Sequence, residues 1–362
     1  MHRVRSSVAI IFFLSLLLNT VFAQVDSATF SIKTSFHKGF IIPHSDSLKK
    51  PAEGAYPFMA ELDFSWLNYS QNGWASANCY RKSGLLLGYV DFGNPEVLGN
   101  GTYFMLYTEP QLTFSKFSFS FTGAAGLIFL SNVYDREENP TNLFFSNPVS
   151  GLIRAGFTGT YTVKDHLQFS LSANFNHISN GRTRIPNYGM NFPTAALSMT
   201  YLIQPNTPPS RTRIKSFDPS LHYSVDFFTV KRFVNAAYEN FGKERMVGLS
   251  FKVSKHFNHC SSWAAGTEVS YDQSIPETGN FFGYDSSPWI ASLIGGHELS
   301  LGRVSFSQLL GIYVYKDYDN SHAVFQRYVL DYAFTKRLHI GFSLKAHLEV
   351  AEMLDGRLGI TF

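Results

Sequence analysis

From Leu167 to Phe175 the chain alternates without a break. Leu167, Phe169, Leu171, Ala173 and Phe175 are apolar, and Gln168, Ser170, Ser172 and Asn174 between them are polar. A period of two is a β-strand with one apolar and one polar face. Similar segments follow one another along the chain. They fall at 27–41, 55–68, 80–92, 101–113, 115–131, 148–163, 166–179 and 190–204, then at 217–231, 245–256, 261–273, 289–301, 303–315, 323–334, 337–349 and 355–362. There are no helical heptads and no repeat of fixed period. Aromatic residues make up 16% of the chain, with 35 Phe and 19 Tyr. Mean hydropathy is close to neutral at −0.06. Alternation rich in aromatics, with no strongly apolar stretch, is the pattern of a sheet that faces lipid on one side.

The first residues read differently. Arg3 and Arg5, the apolar run Val8–Leu18 and the small-residue site Val21-Phe22-Ala23 make residues 1–23 a secretory signal peptide, cut after Ala23. No Cys follows the cut, which argues against a lipoprotein anchor. After the leader, no apolar run approaches the roughly 20 residues of a membrane helix. Backbone in hydrocarbon must pair every N–H and C=O, so a sheet there must close. The predicted fold is all-β: a transmembrane, antiparallel up-and-down β-barrel of about 14 to 16 strands. It occupies 24–362 as one barrel, and a soluble β-sandwich is the alternative.

Loop lengths agree with a barrel. Tight turns at 114–116, 163–165, 302 and 335–336 fall on one side by strand parity. Long polar loops such as "NVYDREENPTNLFFSNP" and "DQSIPETGNFFGYDSSP" fall on the other. One connection breaks the rule: "QPNTPPSRTRIK", 204–215, is long for the tight-turn side. The chain ends "GRLGITF", with Leu358, Ile360 and Phe362 alternating to a terminal aromatic. That ending resembles the signal read by the outer-membrane barrel assembly machinery.

The strand at 166–179 ends its apolar row on His177 and Ser179, and the next strand begins its apolar row at Asn191. Polar groups near hydrocarbon are costly and are often functional. A hairpin centred near Arg184 sets His177 opposite Asn191, with Ser179 two residues along the same face. A Ser, a His that takes its proton and a third group that orients the His make a nucleophilic site. The bland reading of His177 and Ser179 is polar residues in the headgroup belt, hydrogen-bonded to lipid.

His177-Ile178-Ser179-Asn180, followed by Pro186-Asn187 and Gly189, resembles the motif of the PagL-type lipid A 3-O-deacylase (acyloxyacyl hydrolase) family. The likeness extends over roughly 27–204 and leaves 205–362 as additional strands. It implies an outer-membrane barrel in the bacterial outer membrane, acting on lipid A of lipopolysaccharide as a carboxylic-ester hydrolase. It also implies His177 as base and Ser179 as nucleophile, with Asn180, Gly181 and Asn187 as candidates for oxyanion stabilisation. The family's acid is a Glu; the spacing puts Asn191 there instead. Asp135, Glu137 and Glu138 in the preceding outer loop are alternative sources of the acid. A non-enzymatic barrel of the same ancestry, as a pore or structural protein, is the second reading, and a transporter of apolar solutes the third.

Other features carry less. Arg182 and Arg184 are either lipid A phosphate contacts or a solvated loop tip. His37 and His44 do not have metal-site spacing, so no metal and no cofactor is expected. The small net charge, +3 for the whole chain, gives no reason to expect a nucleic-acid partner. Cys79 and Cys260 are far apart in sequence, and their pairing is open.

Overall fold

A computed structural model describes residues 28–362, apart from 76, 182, 204, 206–208, 210, 215–216, 234–241, 318–321 and 348–349. The leader 1–23 and Arg182 therefore lie outside the described residues. Sixteen strands run in order: β1 (Ala28–Gly39), β2 (Phe58–Asn68), β3 (Tyr80–Asp91), β4 (Asn100–Phe114), β5 (Phe117–Leu130), β6 (Val149–Lys164), β7 (Leu167–Ser179) and β8 (Met190–Ile203), then β9 (Leu221–Phe233), β10 (Lys243–His256), β11 (Ser261–Asp272), β12 (Trp289–Leu301), β13 (Val304–Lys316), β14 (Val324–Ala333), β15 (Leu338–His347) and β16 (Val350–Thr361). Within β1–β8, and again within β9–β16, consecutive strands pair antiparallel. Among the described residues, short helices sit in three connections: α1 (Asp46–Ala52), α2 (Gln71–Ala75) and α3 (Ser274–Phe282).

The all-β, up-and-down architecture holds. The single closure over 24–362 does not, because the ladder closes twice. β8 returns to β1, from Phe30 opposite Ile203 to Gly39 opposite Thr194. β16 returns to β9, from Gly356 opposite Thr229 to Thr361 opposite Ser224. The chain thus forms two eight-stranded barrels, and residues 205–362 are mostly a barrel of their own rather than extra strands of the first. Alternation decides which face a residue takes, and it reads the same in one wide wall or two narrow ones. The anomalous connection at 204–215 belongs to the join between the barrels. Its Pro205, Pro208 and Pro209 have no N–H to give to a ladder.

Eight strands leave a lumen just wide enough for side chains, and both lumens are packed. In the first barrel Glu61 accepts from Tyr103 Oη at 2.6 Å, pairs with Arg154 at 2.6 Å and meets His37 Nε2 at 3.0 Å. Lys33 pairs with Asp63 and Lys82 with Glu109, each at 3.0 Å. Towards the long loops the lumen turns apolar: Met59, Val90, Ile128, Leu152, Ile178, Met190 and Phe192 join Phe92, Phe144 and Phe145 in one buried cluster. In the second barrel Arg327 is only 1% exposed. It lies 2.6 Å from both Glu268 and Asp355, which also hold Arg357.

Removing one member of such a buried set leaves the others charged and unpaired, at a cost of about 3–5 kcal/mol. Glu61→Leu should therefore lower the urea midpoint of the detergent-folded protein markedly, whereas Glu61→Gln, which keeps the size and one acceptor oxygen for Tyr103, should lower it less. Equal midpoints for Glu61→Leu and the parent would contradict this account.

The outer walls carry the apolar rows. On β7, Leu171 is 63% and Phe175 46% exposed, while Asn174 and Asn176 are at 8% and 0%. Leu197, Met199 and Tyr201 continue the exposed row on β8. Among the described residues no helix is long and apolar enough to cross a membrane. Cys79 and Cys260 are both free thiols.

Candidate active site

β7 and β8 form the last hairpin of the first barrel, and their register sets His177 opposite Asn191. Both belong to the outward rows, and Ser179 shares that parity, with buried Ile178 between it and His177. The alternation continues to the strand end, which is why the polar trio meets the outside rather than the lumen.

His177 Nδ1–H donates to Asn191 Oδ1 at 2.6 Å, a tautomer assigned from the acceptor. This leaves the lone pair on Nε2. The backbone of Asn191 is fixed in turn, since its carbonyl accepts from Ile42 N–H at 2.8 Å. Gly189 lies against the imidazole. Its φ is +73°, and a Cβ there would fall 2.9 Å from His177 Cε1. His44 joins the same mouth through a 3.0 Å contact from Nε2 to the Tyr188 carbonyl.

Ser179 Oγ accepts two N–H groups, from Gly181 at 3.1 Å and from Asn187 Nδ2 at 3.0 Å. Among the described residues it has no hydrogen bond to His177. Residues two apart on a strand are separated by about 7 Å, so the ring must lean along the strand to reach Ser179. Asn187 Oδ1 accepts from Asn180 N–H at 3.1 Å, so one amide side chain clamps the turn to the serine. The Asn180 side chain is buried, and its Nδ2 donates to Arg184 O at 2.9 Å and to Ser146 Oγ at 3.3 Å. Gly181 and Asn187 thus aim donors at Ser179, whereas Asn180 spends its own on the loop.

Sequence reasoning missed several neighbours. Gly151 on β6 lies opposite Ser179 and leaves the outer face beside it bare. Ile42, His44 and Gly189 come from loops whose folding no periodicity reports. Of the alternative acids, Asp135 is engaged by its own loop. Asp135 Oδ1 accepts from the backbone N–H groups of Glu138 at 3.0 Å and Glu137 at 2.8 Å. Those bonds, Glu138 foremost, hold its carboxyl below the usual range. Among the described residues neither it nor Glu137 or Glu138 bonds to His177. Arg184 donates to Ser146 O at 3.2 Å.

The loop also touches the second barrel. A Cβ at Gly181 would sit 2.8 Å from the Leu354 side chain on β16. Lys243 Nζ, at the start of β10, donates to the Thr183 carbonyl.

Residues 56–200 match the model of the lipid A 3-O-deacylase (PagL) family, and residues 221–362 match that of the acyloxyacyl hydrolase C-terminal domain. The chain belongs to the PagL family. The two matches meet at the same join as the two barrels. As a member of this family of lipid A deacylases, the chain is a protein of the bacterial outer membrane.

Among solved structures, one of the outer-membrane enzyme PagL aligns at 12% identity, covering 46% of this chain and 97% of that one, with a TM-score of 0.34. A mutant of the monoaromatic hydrocarbon channel TodX aligns at 9% identity over 93% of this chain and 89% of that one, with a TM-score of 0.19. An outer-membrane channel from Pseudomonas putida F1 aligns at 10% identity over 93% and 96%, with a TM-score of 0.23. No curated protein matches the chain.

Proposed function

We propose that the first barrel is a serine esterase that removes an ester-linked acyl chain from lipid A. The observation that carries this reading is the outward-facing His177–Asn191 hydrogen bond at 2.6 Å, beside a Ser179 whose Oγ already gathers two N–H donors.

His177 Nε2 takes the Ser179 proton as Oγ attacks the ester carbonyl. The Gly181 N–H and Asn187 Nδ2 stand where donors can turn to the developing oxyanion, and Asn180 positions them. Collapse of the intermediate breaks the acyl C–O bond, and the leaving alkoxide takes the proton from His177. Water activated by His177 then hydrolyses the acyl-serine. Asn191 fixes the tautomer but brings no charge to offset the imidazolium. The bare outer face at Gly151 gives the ester room, and the exposed row Phe175, Ala173 and Leu171 offers the acyl chain an apolar track along β7.

The pore reading fits less well, because the lumens are occupied by ion pairs and apolar clusters. Phe362 extends the closing strand, with its N–H on the Tyr223 carbonyl at 2.9 Å. In our reading the barrel assembly machinery recognises this end.

Mass spectrometry of lipid A from cells with and without the protein tests the function. A species lighter by one acyl chain, seen only with the protein, is expected; identical spectra across several lipid A types would remove the esterase reading. A finer test lies at Gly189. A side chain there faces both the strained positive φ and the imidazole, and a displacement near 1 Å can cost about 10²-fold in rate. Gly189→Ala should slow fatty-acid release by about that factor while the protein keeps its heat-modifiable mobility on gels.

A further inference from the structure

The second barrel holds a group of side chains that the esterase reading does not use. Asp226 on β9, Asp331 on β14 and His339 on β15 point into its lumen near the tight-turn end, and one ligating atom from each lies within 4.8 Å of the others. All three are buried, at 4%, 6% and 8% exposure.

Two glycines make this convergence possible. Gly359 on β16 is the register partner of both His339 and Asp226. A Cβ there would fall 2.1 Å from His339 Nε2 and 2.4 Å from Asp226 Oδ1. Gly341 is the partner of Asp331, and a Cβ there would fall 2.0 Å from Asp331 Oδ1. Without those side chains, the three groups reach across the intervening strand and meet.

Their hydrogen bonding is incomplete. Asp331 Oδ1 is buried and has no partner. The neighbouring cations are committed elsewhere: Lys252 to Glu298, and Arg357 to Glu268 at 3.1 Å and Asp355 at 2.8 Å. His339 Nδ1 lies 3.5 Å from Thr361 Oγ1, which can take its proton and leave the Nε2 lone pair inward. Nε2 then faces Asp226 Oδ1 at 2.7 Å, a contact that either a proton or a metal ion held by both atoms satisfies. A buried unpaired carboxylate oxygen is costly.

We propose that Asp226, Asp331 and His339 bind one divalent transition-metal ion of the zinc type inside the second barrel. Two carboxylates and a neutral imidazole balance the charge of such an ion, and their mixed O and N donors suit it. Thr361 acts behind the imidazole as the group that fixes its orientation.

The test uses the full chain folded in detergent and stripped with chelator, with Zn²⁺ in calorimetry and Co²⁺ as a spectroscopic probe. One equivalent should bind, with a Co²⁺ absorption band typical of low coordination number, and Zn²⁺ should raise the thermal midpoint. Asp331→Asn and His339→Gln should each weaken binding at least about tenfold and abolish the band, while His177→Gln, in the other barrel, should leave both unchanged. Heat-modifiable mobility checks that the variants are folded. If His339→Gln fails this check, Asp331→Asn, which preserves size and removes one charge, decides. No binding by the parent chain, or binding and a thermal shift that survive Asp331→Asn, would overturn the proposal. The latter would assign the metal to loop histidines and leave a shared proton between His339 and Asp226.

Discussion

Ser179→Ala should lower fatty-acid release from lipid A by at least about 10⁴-fold while leaving the barrel folded. The scale follows from what serine triads lose when the nucleophile goes. The fold should survive because Ser179 is half-buried at a strand end, and its bonds to Gly181 and Asn187 are local. His177→Ala should lose nearly as much, and the double variant little more than either, since the two residues serve one proton transfer. Release at the parent rate from Ser179→Ala would mean that the nucleophile lies elsewhere.

Asn191 should give the next largest effect, and in two directions. Asn191→Leu removes the acceptor for His177 Nδ1–H, so the ring loses both its tautomer and its orientation. A loss of about 10²–10⁴-fold is expected, the upper figure being what a wrong tautomer costs a serine triad. Asn191→Glu adds the charge that the native residue lacks and should raise the rate, since a carboxylate stabilises the imidazolium. Steady-state release assays on both variants separate these roles. If Asn191→Leu matches the parent, the 2.6 Å bond does not serve catalysis. If Asn191→Glu falls with folding intact, the tight amide geometry matters more than charge.

Much of this site could be read from periodicity. The strand expected at 166–179 spans Leu167–Ser179, and that at 190–204 spans Met190–Ile203. Two correct strands and a symmetric loop were enough to place His177 opposite Asn191. The turn itself was less legible. Asn180, Gly181 and Asn187 were grouped by motif, yet the structure divides them, because the direction of an N–H depends on loop dihedrals rather than on strand parity. Closure was the larger miss. Hydrogen-bond partners many residues apart, such as Phe30 and Ile203, leave no trace in a local pattern. Two clues were present. Inward positions such as Tyr103, Arg154, Phe228 and Arg327 carry bulk that fills a narrow lumen. The proline-rich stretch at 204–215 is the other, but its length alone does not distinguish a boundary from a long turn.

The even strand number has a topological result. A chain that crosses a membrane eight times comes back to the face it left, so β9 starts on the side where β1 started and β8 ends. Both barrels therefore stand the same way up. The tether also makes their encounter intramolecular: short linkers hold joined modules at effective concentrations of the order of mM. Dilution in the plane of the membrane cannot separate them, which favours the contact of Leu354 with the loop that carries Gly181. The molecule is in effect a dimer of unlike halves whose stoichiometry is written into a single polypeptide.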